Sequence, residues 1–265
     1  MLDWLAVTFM APAAQGGLGW SSKSLHRLIV TSATYQQSSD VTHVALSNDP
    51  ENNLLARGPR MRLEAEMIRD GFLKAAGLLS TKMFGPGVKP PQPSGVMEVA
   101  YGNPKWQTSQ GEDRYRRGVY TFRKRTAPFA FTTTFDGPTG EVCVANREAS
   151  NSPLQALTLL NDPMFLDVAR SLGRVAMAAG DTDTIRLQTL ARKLLSRDFD
   201  ATEIEILSKY LNVQRQRLIH GTLEAAELMA VTQKKEKTIE ELQEEAAWML
   251  VARTIMNLDE AIVKR

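Results

Sequence analysis

The second half of this chain carries helix-start signals at such short intervals that little other than stacked helices can follow. Ser152-Pro153-Leu154-Gln155 sets an N-cap serine before proline at the first helical position and a glutamine at N3, the pattern of a capping box. Asn161-Asp162-Pro163 stops that helix and starts another, with Asp162 as its N-cap. Asp200 with Glu203 repeats the box ahead of a periodic run. Helices are predicted over 184–196, 201–220 and 238–261, so the C-terminal third reads as all helix, and the charges at 234–237 read as solvated surface.

The first half is less regular. Leu2, Leu5, Ala6 and Phe9 fall at helical spacing with no N-cap residue before them, which reads as a chain starting inside a helix, an N-terminally truncated piece of something larger. Leu25, Leu28 and Ile29 form an i, i+3, i+4 stripe behind Ser21, giving a helix over 22–35 in which Trp20 would staple onto Leu25. Residues 36–59 are polar, with a turn signal at Asp49-Pro50. Residues 60–79 are rich in helix formers and amphipathic. Proline and glycine crowd 80–113, which reads as a long irregular loop. Val119, Tyr120, Thr121 and Phe122 favour a strand over 117–125, with 95–101 as its leading partner. The fold class is therefore mainly α, a helical domain with a small β element near residues 95–125, taken as one unit over 1–265.

Charge and motif exclude more than they assign. The net charge of +2 gives no global pull toward nucleic acid or an anionic membrane, and no apolar run approaches the roughly 18 residues a membrane span needs. GxSxG, HExxH and GxGxxG are absent, and GPGVKPP is no P-loop because Lys89 precedes Pro90. The three histidines, His26, His43 and His220, stand far apart, so no metal is assigned; His26 reads as a core-edge residue. The single cysteine, Cys143, permits neither an internal disulfide nor a CxxCH and reads as a small buried side chain.

Two features stand out as candidate sites. On a strand, Arg117, Arg123 and Arg125 would share one face, suited to carboxylate or sulfate groups or to the chain's own acids, Glu64, Glu66, Asp70, Asp113 or Asp136. On a helix over 60–79, Glu64 falls near the centre of the apolar half, while Arg62, Glu66 and Arg69 fall on the solvent side. A carboxylate so placed needs a basic partner, with Arg117, Arg123, Arg125 and Arg147 the candidates, or a raised pKa. A buried ion pair and a catalytic carboxylate both fit that position.

Long phrases also carry a resemblance: WSSKSLHRLIVTSATYQQSS (20–39), DPENNLLARGPRMRLEAEMIRDGFLKAAGLL (49–79), YRRGVYTFRKRTAPFAFTTTFDGP (115–138), CVANREASNSPLQALTLLNDP (143–163) and the ending ARTIMNLDEAIVKR. Together they resemble domain of unknown function 1553, a planctomycete-specific domain at the C-terminal end of multi-domain proteins. The resemblance implies a periplasmic or cell-surface setting and a companion cytochrome c domain, so that haem c would belong to an upstream region and no cofactor to this chain. Partners would be the other domains of the full-length protein, or a polysaccharide, with no nucleic acid. It carries no catalytic residues. The function expected is a structural or interaction domain of an extracytoplasmic, cytochrome c-associated protein; the alternative is an enzyme or binding domain acting on a complex, anionic polysaccharide.

Overall fold

The computed structural model describes residues 1–96, 105–230 and 237–264. The chain divides into two compact units, Met1–Met61 with Val263–Arg265, and Arg62–Ile262. The first holds α1 (Leu2–Met10), α2 (Ser22–Val30) and α3 (His43–Asn48). The turn after α1 folds back on it, with the Leu18 and Trp20 amides donating to the carbonyls of Thr8 and Phe9. Gly17 permits this, since a Cβ there would lie 2.1 Å from the Ala11 oxygen. Trp20 meets Phe9 edge to face at 5.3 Å.

Ser21 caps α2 as expected, its hydroxyl accepting from the Ser24 amide at 3.2 Å. The helix stops at Val30 rather than 35, where the Thr31 and Ser32 hydroxyls donate back to the Arg27 and Ile29 carbonyls. Within the polar 36–59 stretch α3 is an addition, started by Thr42. Asp49 ties the turn that follows by accepting from the Asn53 and Leu54 amides. His26 is exposed, a correction to its core-edge reading.

β1 (Met61–Arg62) falls on the boundary, and the second unit holds α4 (Ala65–Ala75), α5 (Ala130–Thr134), α6 (Pro153–Asn161), α7 (Pro163–Ala178), α8 (Asp183–Leu195), α9 (Ala201–Ile219), α10 (Ala225–Leu228) and α11 (Ile239–Met256). β2 (Val263–Lys264) pairs with β1 in one small antiparallel sheet, so the fold is mainly helical. The capping boxes at Ser152/Gln155 and Asp200/Glu203 are present, and the Asp162 carboxylate accepts from the Met164 amide at 2.9 Å. α11 is buried on every side from Glu245 to Ala252, which makes it the axis of the core. α7 crosses it so closely at Gly173 that a Cβ would lie 2.8 Å from the Met249 nitrogen. Phe72, Phe131 and Phe165 fill the end of the core next to α4 and α5, with ring centroids 5.1 to 5.8 Å apart.

The β expectation near 95–125 takes a more local form. Residues 118–120 make a single 3-10 turn instead of strand, and the pairing among the described residues here is two parallel bridges, Ser80 with Arg116 and Val88 with Thr121. The partner is thus the proline-rich segment before residue 95; residues 97–101 of the expected partner lie outside the described residues. Cys143 is exposed, not buried, because residues 141–146 are an irregular, solvent-facing stretch.

Candidate functional site

α4 buries Ala65, Ile68, Arg69, Phe72 and Leu73, an i, i+3, i+4 stripe in which one position is an arginine. Arg69 is 1% exposed. Its Nη1 donates to the Arg116 carbonyl at 2.7 Å and to Asp70 Oδ1 at 3.1 Å, and its Nη2 reaches the Arg114 carbonyl at 3.4 Å. Burial pulls its pKa below the ordinary arginine range, and the Asp70 carboxylate opposes that pull. Asp70 also accepts the Gly118 amide on both oxygens, at 2.8 and 3.0 Å.

Arg116, also 1% exposed, extends the arrangement. Its Nη2 donates to the Phe84 carbonyl at 2.5 Å and the Lys82 carbonyl at 3.2 Å, its Nη1 to the Pro86 carbonyl at 3.3 Å, and its guanidinium lies 3.7 Å from the centre of the Tyr120 ring. The prolines of this segment have no amide to give to a sheet, and the Arg116 guanidinium takes up its carbonyls. Asp167 of α7 secures the same stretch by accepting from Arg114 Nη2 at 3.1 Å and the Tyr115 hydroxyl at 2.8 Å. Burial first, then that carboxylate, pushes the Tyr115 pKa up to about 12.

This anchored stretch forms a groove along the exposed side of α4. Cavities of about 300 and 450 Å³ lie on either side of Val119, and both Val119 and Glu66 line each of them. Arg123, Phe122 and Phe129 line the smaller, and Arg117, Met67 and Leu79 the larger. Glu66 is already engaged, accepting from Arg147 Nη1 at 2.6 Å and Nη2 at 3.3 Å. Burial alone would raise its pKa, but the Arg147 hydrogen bonds prevail and hold it below 4.5.

Of the residues singled out from sequence, Glu64 is not buried. It occupies the N-cap position of α4, its side chain is 50% exposed, and its Oε2 lies 3.4 Å from Arg147 Nη1. The helix begins at Ala65, so Leu63 and Glu64 never join the wheel on which burial was expected. Arg117, Arg123 and Arg125 are all exposed and form no ion pair among the described residues; Arg123 donates to the Pro138 carbonyl. Arg69, read as solvent-facing, is buried, and Glu66 is a wall of the groove. The signal for Arg69 was present in its spacing from Ala65, Ile68, Phe72 and Leu73, while Arg116 sits in irregular chain where no periodicity marks it.

Among the described residues no group of His, Cys, Asp and Glu side chains is placed to hold a metal ion, and no helix is long and apolar enough to cross a membrane. With a single cysteine the chain itself does not fit a covalently held haem. The family model PSD1, a protein of unknown function (DUF1553), matches residues 1–211. The chain belongs to this family. In this DUF1553 chain the matched region takes in α1 to α8, and with them the buried arginines and the groove. No curated protein and no solved structure matches it.

Proposed function

We propose that this DUF1553 chain is an interaction domain of a larger, extracytoplasmic, cytochrome c-associated protein, and that its N-terminal unit is covered by other domains of that protein. One observation carries the reading. None of the apolar residues from 1 to 61 is buried, and Leu2, Trp4, Val7 and Trp20 are each at least 60% exposed. Fully burying such a side chain stabilises an assembly by roughly 1.5–3 kcal/mol, so a partner covering α1 and α2 removes a large liability. Exposed apolar surface of this kind marks an interaction face. The extracytoplasmic setting rests on the family resemblance.

Amide hydrogen exchange tests it, comparing the isolated chain with the same residues in the full-length protein. Residues 2–30 are expected to exchange much more slowly in the full-length protein; equal rates would refute the reading. The polysaccharide alternative would draw on Arg117, Arg123 and Arg125, and the experiment that closes the next subsection separates it.

A further inference from the structure

We infer that the groove around Val119 binds an acidic peptide segment of a partner protein, seating an aliphatic side chain in the larger cavity and carboxylates on Arg117 and Arg123. The inference rests on the interaction-domain reading and gives that reading a second, chemically defined contact.

The charges decide the sign of the ligand. Two carboxylates face the groove, and both are spent within the fold: Glu66 on Arg147, and Asp70 on the Gly118 amide and Arg69. The arginines at the rim are not. Arg117 and Arg125 are exposed without an acidic partner among the described residues, and Arg123 donates to the Pro138 carbonyl and feels Glu66 without forming an ion pair with it. A guanidinium presents a planar fork of donors that matches a carboxylate. The groove therefore attracts anions although acids line it.

Shape and lining choose the class of anion. Val119 stands 74% exposed and lines both cavities; the larger has Met67, Leu79 and Val119 as its apolar wall and no aromatic face, whereas Phe122 and Phe129 line the smaller. Aliphatic walls suit leucine- or isoleucine-sized side chains, whereas sugar hydroxyls placed there would lose water without gaining hydrogen bonds. A larger cavity with an aliphatic wall beside exposed cations matches an extended peptide that sends an aliphatic side chain down and carboxylates outward. The wall does not need to form on binding, because Arg69 and Arg116 already fix its carbonyls, which lowers the ordering cost of association.

The probe is a fluorescently labelled peptide of alternating aspartate and leucine, titrated with the whole chain and followed by anisotropy. A lysine–leucine peptide and dextran sulfate serve as comparisons. The aspartate peptide is expected to bind, the lysine peptide not, and binding is expected to weaken as salt shortens the Debye length. Arg117→Ala and Val119→Asp, both at exposed positions, are each expected to weaken it about tenfold with an unchanged circular dichroism spectrum. No binding of the aspartate peptide, or binding by both variants as tight as that of the parent chain, overturns the inference. Dextran sulfate binding that depends on Arg117 while the peptide fails would assign the groove to an anionic polysaccharide instead. If the peptide fails while residues 2–30 are protected in the full-length protein, this inference falls and the interaction-domain reading stands. If the peptide binds and those residues exchange freely, the groove stands and the covering of the N-terminal unit falls.

Discussion

Replacing Arg69 with methionine tests whether a buried guanidinium organises the irregular stretch in front of α4. The substitution keeps an unbranched apolar stem in the same space and removes donors to the Arg116 carbonyl at 2.7 Å, Asp70 at 3.1 Å and the Arg114 carbonyl at 3.4 Å. Hydrogen bonds to charged groups contribute roughly 1.5–3 kcal/mol each, and the 3.4 Å contact belongs at or below the bottom of that range. Against this stands the relief of a desolvated cation, whose Nε finds no hydrogen-bond partner in the protein. The balance is a loss of about 3 kcal/mol, because the carbonyls of 114 and 116 and the Asp70 carboxylate stay behind with fewer partners. In urea this moves the midpoint down by roughly 1.5 M at an m-value of about 2 kcal/mol/M. Limited proteolysis should cut first within 105–122, while α7 and α11 remain protected. Arg117→Met, at an exposed position, is the control and should stay within about 0.5 kcal/mol of the parent. An Arg69→Met protein as stable as that control would refute the clamp.

Three further outcomes follow from the same structure. Gly173→Ala gains about 1 kcal/mol of helix propensity, but its Cβ would lie 2.8 Å from the Met249 nitrogen and 3.2 Å from the Met249 Cα, all backbone; a net loss of about 1–3 kcal/mol in thermal unfolding is expected, and a gain would show that α7 and α11 can separate without cost. Burial lifts the Asp162 pKa from 3.8 to about 6, so the native state holds a proton the unfolded chain has released between those values, and this group's contribution to stability falls as pH rises through that window. Asp162→Asn, an equally good N-cap, should flatten that slope and gain up to about 3 kcal/mol over the parent at pH 7; parallel pH–stability curves would contradict the assignment. Arg147→Ala should cost about 1 kcal/mol and let the Glu66 pKa rise, removing a contribution that is present above the unfolded pKa and lost as pH falls through the lower, folded one; an unmoved Glu66 titration in NMR would show that Arg147 is not what holds it down.

The helical half was legible because each start is a local, chemically specific event. Ser152 with Gln155, Asp162 before Pro163, and Asp200 with Glu203 satisfy amide donors within a single turn, so no tertiary knowledge is needed to find them. The region of the groove was not legible for the opposite reason. Val119 to Phe122 have strand-forming side chains, but Gly118 gives its amide to Asp70 and the chain turns at once, so propensity lost to one tertiary hydrogen bond. Glu64 turns on a boundary: the amphipathic pattern begins at residue 60 but α4 only at Ala65, so a cap position carries the spacing of a buried face. Hydrophobic ranking also treats every arginine as solvent-facing, which conceals Arg69 inside an otherwise regular apolar stripe.

Stability and binding therefore converge on the same few residues. Proline takes amide donors from a segment and glycine adds conformational freedom, so a stretch dense in both has little with which to hold a shape of its own. Carbonyls remain, and a guanidinium is the side chain that can collect several of them from one buried point. Arg116 gathers those of Lys82, Phe84 and Pro86, and Arg69 holds the carbonyl of Arg116 itself, so the position of the outer loop depends on α4 through two successive arginines. The exposed members of the same sequence run, Arg117, Arg123 and Arg125, form no ion pair among the described residues in this arrangement, since Asp70 and Glu66 are drawn away to Gly118 and Arg147. Loosening Arg69 should thus do more than destabilise the protein. It takes from Asp70, which already lines the groove, its buried cationic partner, leaves that carboxylate's charge less compensated beside the rim, and should weaken the aspartate peptide even under conditions where the helical core remains folded.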